Sequence, residues 1–193
     1  VTDHFAALGL PRHAWLDLED IKSRHHALIA ESHPDKIHGD PARASALNAA
    51  RAILENPATR LRHLLELEAP AHTGSAPHEP DWSLFSRLSE ATRLAAEFQN
   101  SPPPATPLAR ALRLNQANSL RAELASLTDL LGEKTRTLEA LTKNLPPANQ
   151  GPAATAALAE SWSFHQKSLA SLKQSQEALD CLKWSHNGSK IAF

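Results

Sequence analysis

The sequence predicts an all-α protein, on three observations. Leu and Ala supply most of the apolar content of the 193 residues, while Val occurs only at position 1, Ile is scarce and Tyr is absent. The chain is therefore poor in residues that suit a pleated sheet and rich in good helix formers. Apolar residues recur at spacings of three and four over long stretches, which is the period of a helix face. Pro and Gly gather at a few places that read as breaks between helices. Twenty Lys and Arg against twenty-one Asp and Glu leave a formal net charge of −1, so neither a nucleic acid nor a membrane is an expected partner.

Three helices are expected over residues 1–69. A short one around Asp3 to Leu8 is stopped by Gly9 and Pro11. A longer one starts at Asp17, a good N-cap with Asp20 at the third helical position, and carries an apolar stripe of Ile21, Leu28 and Ile29. It has to end near Ser32, because His33 precedes Pro34 and a residue before proline is disfavoured in the helical region. After the loop that begins at Lys36, Asp40 and Pro41 fit the cap and first turn of a third helix bearing Ala46, Leu47, Ala50, Ile53 and Leu54. Its small residues allow close packing on the helix before the loop. The product is an antiparallel hairpin with His33-Pro34-Asp35 at its tip.

Residues 70–80 are rich in Pro, Gly and Ser and read as a linker, leaving 81–193 as a second domain. Ser101-Pro-Pro-Pro104, Pro146-Pro147 and Gly151-Pro152 cut that domain into three helical segments. In the middle one Leu120, Leu124, Leu127, Leu131, Leu138, Leu141 and Leu145 form a heptad seam, interrupted by Lys134. At helical rise this segment spans about 57 Å. The last repeats the pattern through Leu158, Trp162, Leu169, Leu172 and Leu179, with His165 and Gln176 at intervening seam positions and a frayed tail after Trp184. Two such helices joined by a short loop are expected to pair antiparallel, and the first segment, with Leu84, Leu88, Ala91, Ala95 and Phe98 on one face, adds a third helix.

A helical hairpin with His-Pro-Asp in its loop resembles the J-domain family. The opening Phe5-Ala-Ala-Leu-Gly-Leu-Pro, Arg24 nine residues before the motif, and the run from Leu47-Asn-Ala-Ala through Asn56-Pro57 to Leu64-Leu65 resemble one branch of it, HscB, the iron–sulfur cluster co-chaperone. The resemblance implies a J-domain joined to a C-terminal three-helix domain, and a co-chaperone that is not an enzyme and needs no cofactor. Its partner would be a DnaK-type, HscA-like chaperone, whose ATPase it stimulates. Asp35 would contact a partner arginine, Pro34 would fix the loop and His33 would orient it. Lys22, Arg24, His25, His26 and Lys36 would complete the docking face, with His25 and His26 strengthening it at mildly acidic pH.

The resemblance further implies that an iron–sulfur scaffold protein is gripped by an apolar patch on the first C-terminal helix, here Leu84, Phe85 and Leu88. Ser83, Ser86, Arg87 and Ser89 stand where that family carries acids and larger apolar groups, so an unrelated client stays open. So does a helical adaptor with a degenerate J-domain. A metal site built from His25, His26, His33, Asp35 and His38 is not expected, because adjacent residues on a helix point in different directions. The one cysteine, Cys181, is expected to be inert. No run of 18 apolar residues occurs, and Val1-Thr-Asp-His-Phe lacks the features of a signal peptide. A cytoplasmic location is expected, with a trimmed leader left open.

Overall fold

The computed structural model describes residues 1–32, 40–72, 81–102 and 104–187, with side chains through 180 except at 32. These residues form seven helices and no strand: α1 (His4–Ala7), α2 (Leu18–Ser32), α3 (Pro41–Glu55), α4 (Pro57–Glu68), α5 (Trp82–Asn100), α6 (Pro107–Lys143) and α7 (Pro152–Asn187). The chain is all-α, as its composition and periodicity predict.

Helix starts follow local chemistry. Asp3 caps α1 by accepting from the N–H groups of Phe5 and Ala6. Gly9 ends that turn at φ +63°, a conformation costly for any residue with a Cβ. Asp17 accepts from Glu19 N–H at the start of α2, and Asp40 from Ala42 and Arg43 at the start of α3, where Pro41 takes the first turn. Helix α4 is an addition to the sequence reading. Asn56 accepts from Ala58 and Thr59 N–H, and Pro57 occupies the first turn. This is the same cap-plus-proline signal as Asp40-Pro41 and could have been recognised in the same way.

The chain divides into two compact units that are not contiguous in sequence: residues 1–78 with 137–163, and residues 79–136 with 164–193. In the first, α3 packs against α1, α2 and α4. Its core combines Phe5, Leu8, Ile21, Leu47, Ala50, Leu54, Leu61 and Leu64 with Leu138 near the end of α6, Ala148 in the turn that follows, and Leu158 and Trp162 near the start of α7. Polar contacts fasten the same junction. Trp162 Nε1–H donates to Thr142 Oγ1 at 2.9 Å, Ala148 N–H donates to Glu68 at 3.1 Å, Arg62 pairs with Glu160 at 3.0 Å, and the Lys143 ammonium lies 4.3 Å from the Trp15 ring centroid. Arg60, only 1% exposed, donates to the carbonyls of Ala14 and Leu54, tying the chain before α2 to the end of α3.

The second unit is a three-helix bundle. Its core joins Leu84, Leu88, Ala91 and Ala95 of α5 to Leu120, Leu124, Leu127 and Leu131 of α6 and to Leu172 and Leu179 of α7. Contacts along α5 and its cap, Asp81 with Lys134, Arg87 with Glu123 and Phe98 with Arg113, show that α5 runs antiparallel to α6. Those of α7 with α6, His165 with Thr135 and Gln176 with Thr128, show the same of α7.

Three seam positions depart from the heptad reading. Leu141 and Leu169 are exposed, while Thr142 and Ser168 are buried in their place. On α6 the inward row steps from Leu131 to Thr135 and continues through Leu138, Thr142 and Leu145, so the alternation of three and four slips once. Lys134 lies outside that row and pairs with Asp81. On α7 the buried Ser168 and Ser175 displace Leu169 and Gln176. Each serine is satisfied by the carbonyl four residues back, so a small polar side chain fits inside. Helix α7 also continues past Trp184 to Asn187, where a frayed tail is expected from the sequence.

Candidate docking face of the helical hairpin

His33, Pro34, Asp35 and Lys36 lie outside the described residues, as does His38. What surrounds them is described: α2 ends at Ser32 and α3 begins at Pro41, and the two helices pack together. In sequence the motif falls between these two helices.

Of the residues expected on the docking face of α2, Lys22, Arg24 and His26 are exposed. Lys22 pairs with Glu19 one turn earlier at 2.8 Å, and this hydrogen bond and charge raise its pKa. Glu31, near the end of α2, faces Arg43 of α3 at 3.8 Å. One cation of this helix, Lys22, is thus engaged by a carboxylate of the same helix, in an exposed pair of small worth.

His25 is placed elsewhere. It is 5% exposed, and its Nε2–H donates to Asn48 Oδ1 on α3 at 2.9 Å. Its other nitrogen, Nδ1, is buried without a hydrogen-bond partner among the described residues. The i, i+4 spacing of Ile21 and His25 puts the imidazole on the inner stripe. Helix periodicity already carries this signal, since Ile21, His25, Leu28 and Ile29 share one face. Of the two histidines, only His26 presents a ring to solvent.

On α5, the three residues expected to grip a client separate. Leu84 (1% exposed) and Leu88 (5%) are core residues of the bundle, whereas Phe85 is 50% exposed. Phe85 instead meets Trp82, 66% exposed, edge to face at 6.1 Å. Asp81 starts this helix, and its carboxylate is held below the usual range by the Leu84 N–H and by Ser83, with Lys134 adding to them.

Among the described residues no group of three or more His, Cys, Asp and Glu could hold a metal ion, and no helix is long and apolar enough to cross a membrane.

Comparison with known proteins gives the same direction at two levels. No family model matches the chain. Co-chaperone protein HscB of Proteus mirabilis (strain HI4320) is 30% identical over 74 residues, 34% of this chain and 43% of that protein, so the match spans less than half of the relative's length. Chaperone HscB from Vibrio cholerae has the same fold, with a TM-score of 0.54 at 18% identity over 92% of this chain and 99% of that one. The chain is thus HscB-like, in its fold and in a stretch of its sequence.

Proposed function

We propose that this protein is an HscB-like co-chaperone that works in the cytoplasm. It binds a DnaK-type chaperone through His33-Pro34-Asp35, Lys36 and the outer face of α2, stimulates ATP hydrolysis by that chaperone and delivers a client to it. The observation that supports this reading is an intact His-Pro-Asp in the sequence between α2 and α3, two helices that pack together within a chain of HscB-like fold.

No residue of this chain performs chemistry in that scheme, because the ATP is bound and cleaved in the partner. The hairpin acts by binding one state of the partner better than the other, and its effect is limited to that difference in affinity. Asp35 supplies a carboxylate for a charge-assisted bond to a cation of the chaperone, and Lys22, Arg24 and His26 steer the approach. An HscA-like chaperone and an iron–sulfur scaffold are the partner and client of this reading.

The test of the first half is steady-state ATPase of a DnaK-type chaperone from the same genome, with wild type and with His33→Gln. We expect stimulation by wild type and its loss in the variant, with the far-ultraviolet circular dichroism of the two proteins superimposable. Equal rates would refute the reading and leave a helical adaptor. For the second half, affinity capture with the full chain distinguishes the clients. Recovery of an iron–sulfur scaffold supports this reading; recovery of a different protein in its place favours a J-domain co-chaperone with another client. The burial of Leu84 and Leu88, which leaves Phe85 and Trp82 as the exposed apolar groups of α5, is the observation that keeps the second client reading in play.

A further inference from the structure

We propose that His25 is a positioning residue that acts from inside the hairpin through Asn48, setting the register of α2 on α3 and with it the presentation of the α2 docking face. This rests on the co-chaperone reading above.

The buried side chains that accompany His25 on the inner faces of α2 and α3, Ile21, Leu47 and Ala50, are apolar, as are the partly buried Leu28, Ile29 and Ile53 packed with them. Contacts of that kind are non-directional, and small residues such as Ala50 let one helix rotate or slide on another at little cost. A hydrogen bond is directional and weakens steeply with misalignment. The bond from His25 Nε2–H to Asn48 Oδ1 is 2.9 Å long and spans the two helices, with one end 5% exposed and the other at the solvent edge. The other polar contact described between the two helices, Arg43 with Glu31 at 3.8 Å, is solvent-exposed and loose; a polar group buried in an apolar helix seam is the feature best suited to fix register, as polar seam residues do in coiled coils.

Register matters here because neighbours of His25 face outward. Arg24 and His26 flank it in the chain and Lys22 lies three residues earlier, all exposed. A rotation of α2 that broke the bond would carry these groups with it. Misplaced charges would then weaken docking on a partner although every docking residue is still present.

The experiment is a double-mutant cycle in chaperone ATPase stimulation with full-length protein, using His25→Phe, Asn48→Ala and the two combined. His25→Phe keeps the buried volume and removes the donor; Asn48→Ala removes the acceptor at an exposed position, so both should fold. We expect each single variant to raise the concentration for half-maximal stimulation by about fivefold to tenfold, the worth of one hydrogen bond of about 1 kcal/mol or slightly more. The double variant should be no worse than either single one, and His25→Gln, which retains a donor, should recover part of the loss.

Effects that multiply in the double variant, or thermal midpoints that fall while stimulation is unchanged, would overturn the proposal. Residual dipolar couplings of the α2 and α3 amides separate its failure from that of the function it rests on. If wild type fails to stimulate, the co-chaperone reading is lost, and couplings that are identical in wild type and Asn48→Ala would remove the register role as well. Couplings that change in the variant would retain that role.

Discussion

Arg60 shows how one side chain can hold a loop and a helix end together. Its guanidinium reaches the carbonyls of Ala14 and Leu54 at 2.8 and 2.7 Å, and burial lowers its pKa to about 10, still far above neutrality. Replacing it with Met would keep much of the volume while leaving two buried carbonyls without donors, a loss of about 3 kcal/mol measurable by urea unfolding. His165 makes a pH-dependent contribution. Burial lowers its pKa below the ordinary imidazole value of 6.5, and the nearby charge of Lys134 lowers it further. The folded protein therefore holds this imidazole neutral where the unfolded chain would bind a proton. Its contribution to stability is complete above 6.5 and declines as pH falls below that value toward the folded-state pKa. His4, lowered first by burial and then by His63, works in the same sense. The thermal midpoint should fall between about pH 8 and about pH 5.5, and less so in His165→Gln, which can still bond Thr135 without titrating.

At the scale of elements, most helix starts could be read from the chain because their causes are local. Asp40-Pro41 and Asn56-Pro57 are complete signals within a few residues. Asn56→Ala should cost about 1 kcal/mol by removing the acceptor of the Ala58 and Thr59 N–H groups, as chemical denaturation would reveal. Which leucines turn inward on α6 and α7 was less legible. A repeat of three and four cannot tell Leu141 from Thr142, since either continues a plausible row. The choice is made by Trp162, whose indole donates to Thr142, and that residue is twenty positions away. Leu127, on the part of α6 where sequence pattern and structure agree, is fully buried, and Leu127→Ala should cost about 2–5 kcal/mol in the same measurement. Leu141→Gln, by contrast, should be close to neutral. On the outer face of α2, Lys22, Arg24 and His26 are exposed as the helix pattern implies. His25 was legible in principle from the stripe it shares with Ile21, but its partner Asn48 was not, because that contact depends on how two helices cross.

At the scale of the molecule, the second half of the chain serves both units. A division at the Pro-rich run of 70–80 assigns residues 137–163 to the C-terminal part, yet Leu138, Leu158 and Trp162 lie in the core that holds Phe5 and Leu61. Residues 1–78 alone should consequently be much less stable than the same stretch in the full chain, with a thermal midpoint lower by ten degrees or more, on the order of 2 kcal/mol or above for a domain this size. A midpoint matching that of the intact protein would show that residues 137–163 contribute little to the N-terminal core.

The same arrangement bears on how the protein is made. Residues 1–78 leave the ribosome well before Leu138 and Trp162 exist, and at about 5–20 residues per second the wait for them lasts on the order of several seconds. During that interval Phe5, Leu54 and Leu61 lack the partners that complete their packing. A nascent chain in that condition exposes the kind of apolar surface that chaperones recognise, so this protein is expected to depend on such help during its own synthesis. Arrest of translation at increasing lengths, with protease resistance as the readout, should show protection of the N-terminal helices arriving late, after the turn between α6 and α7 has emerged.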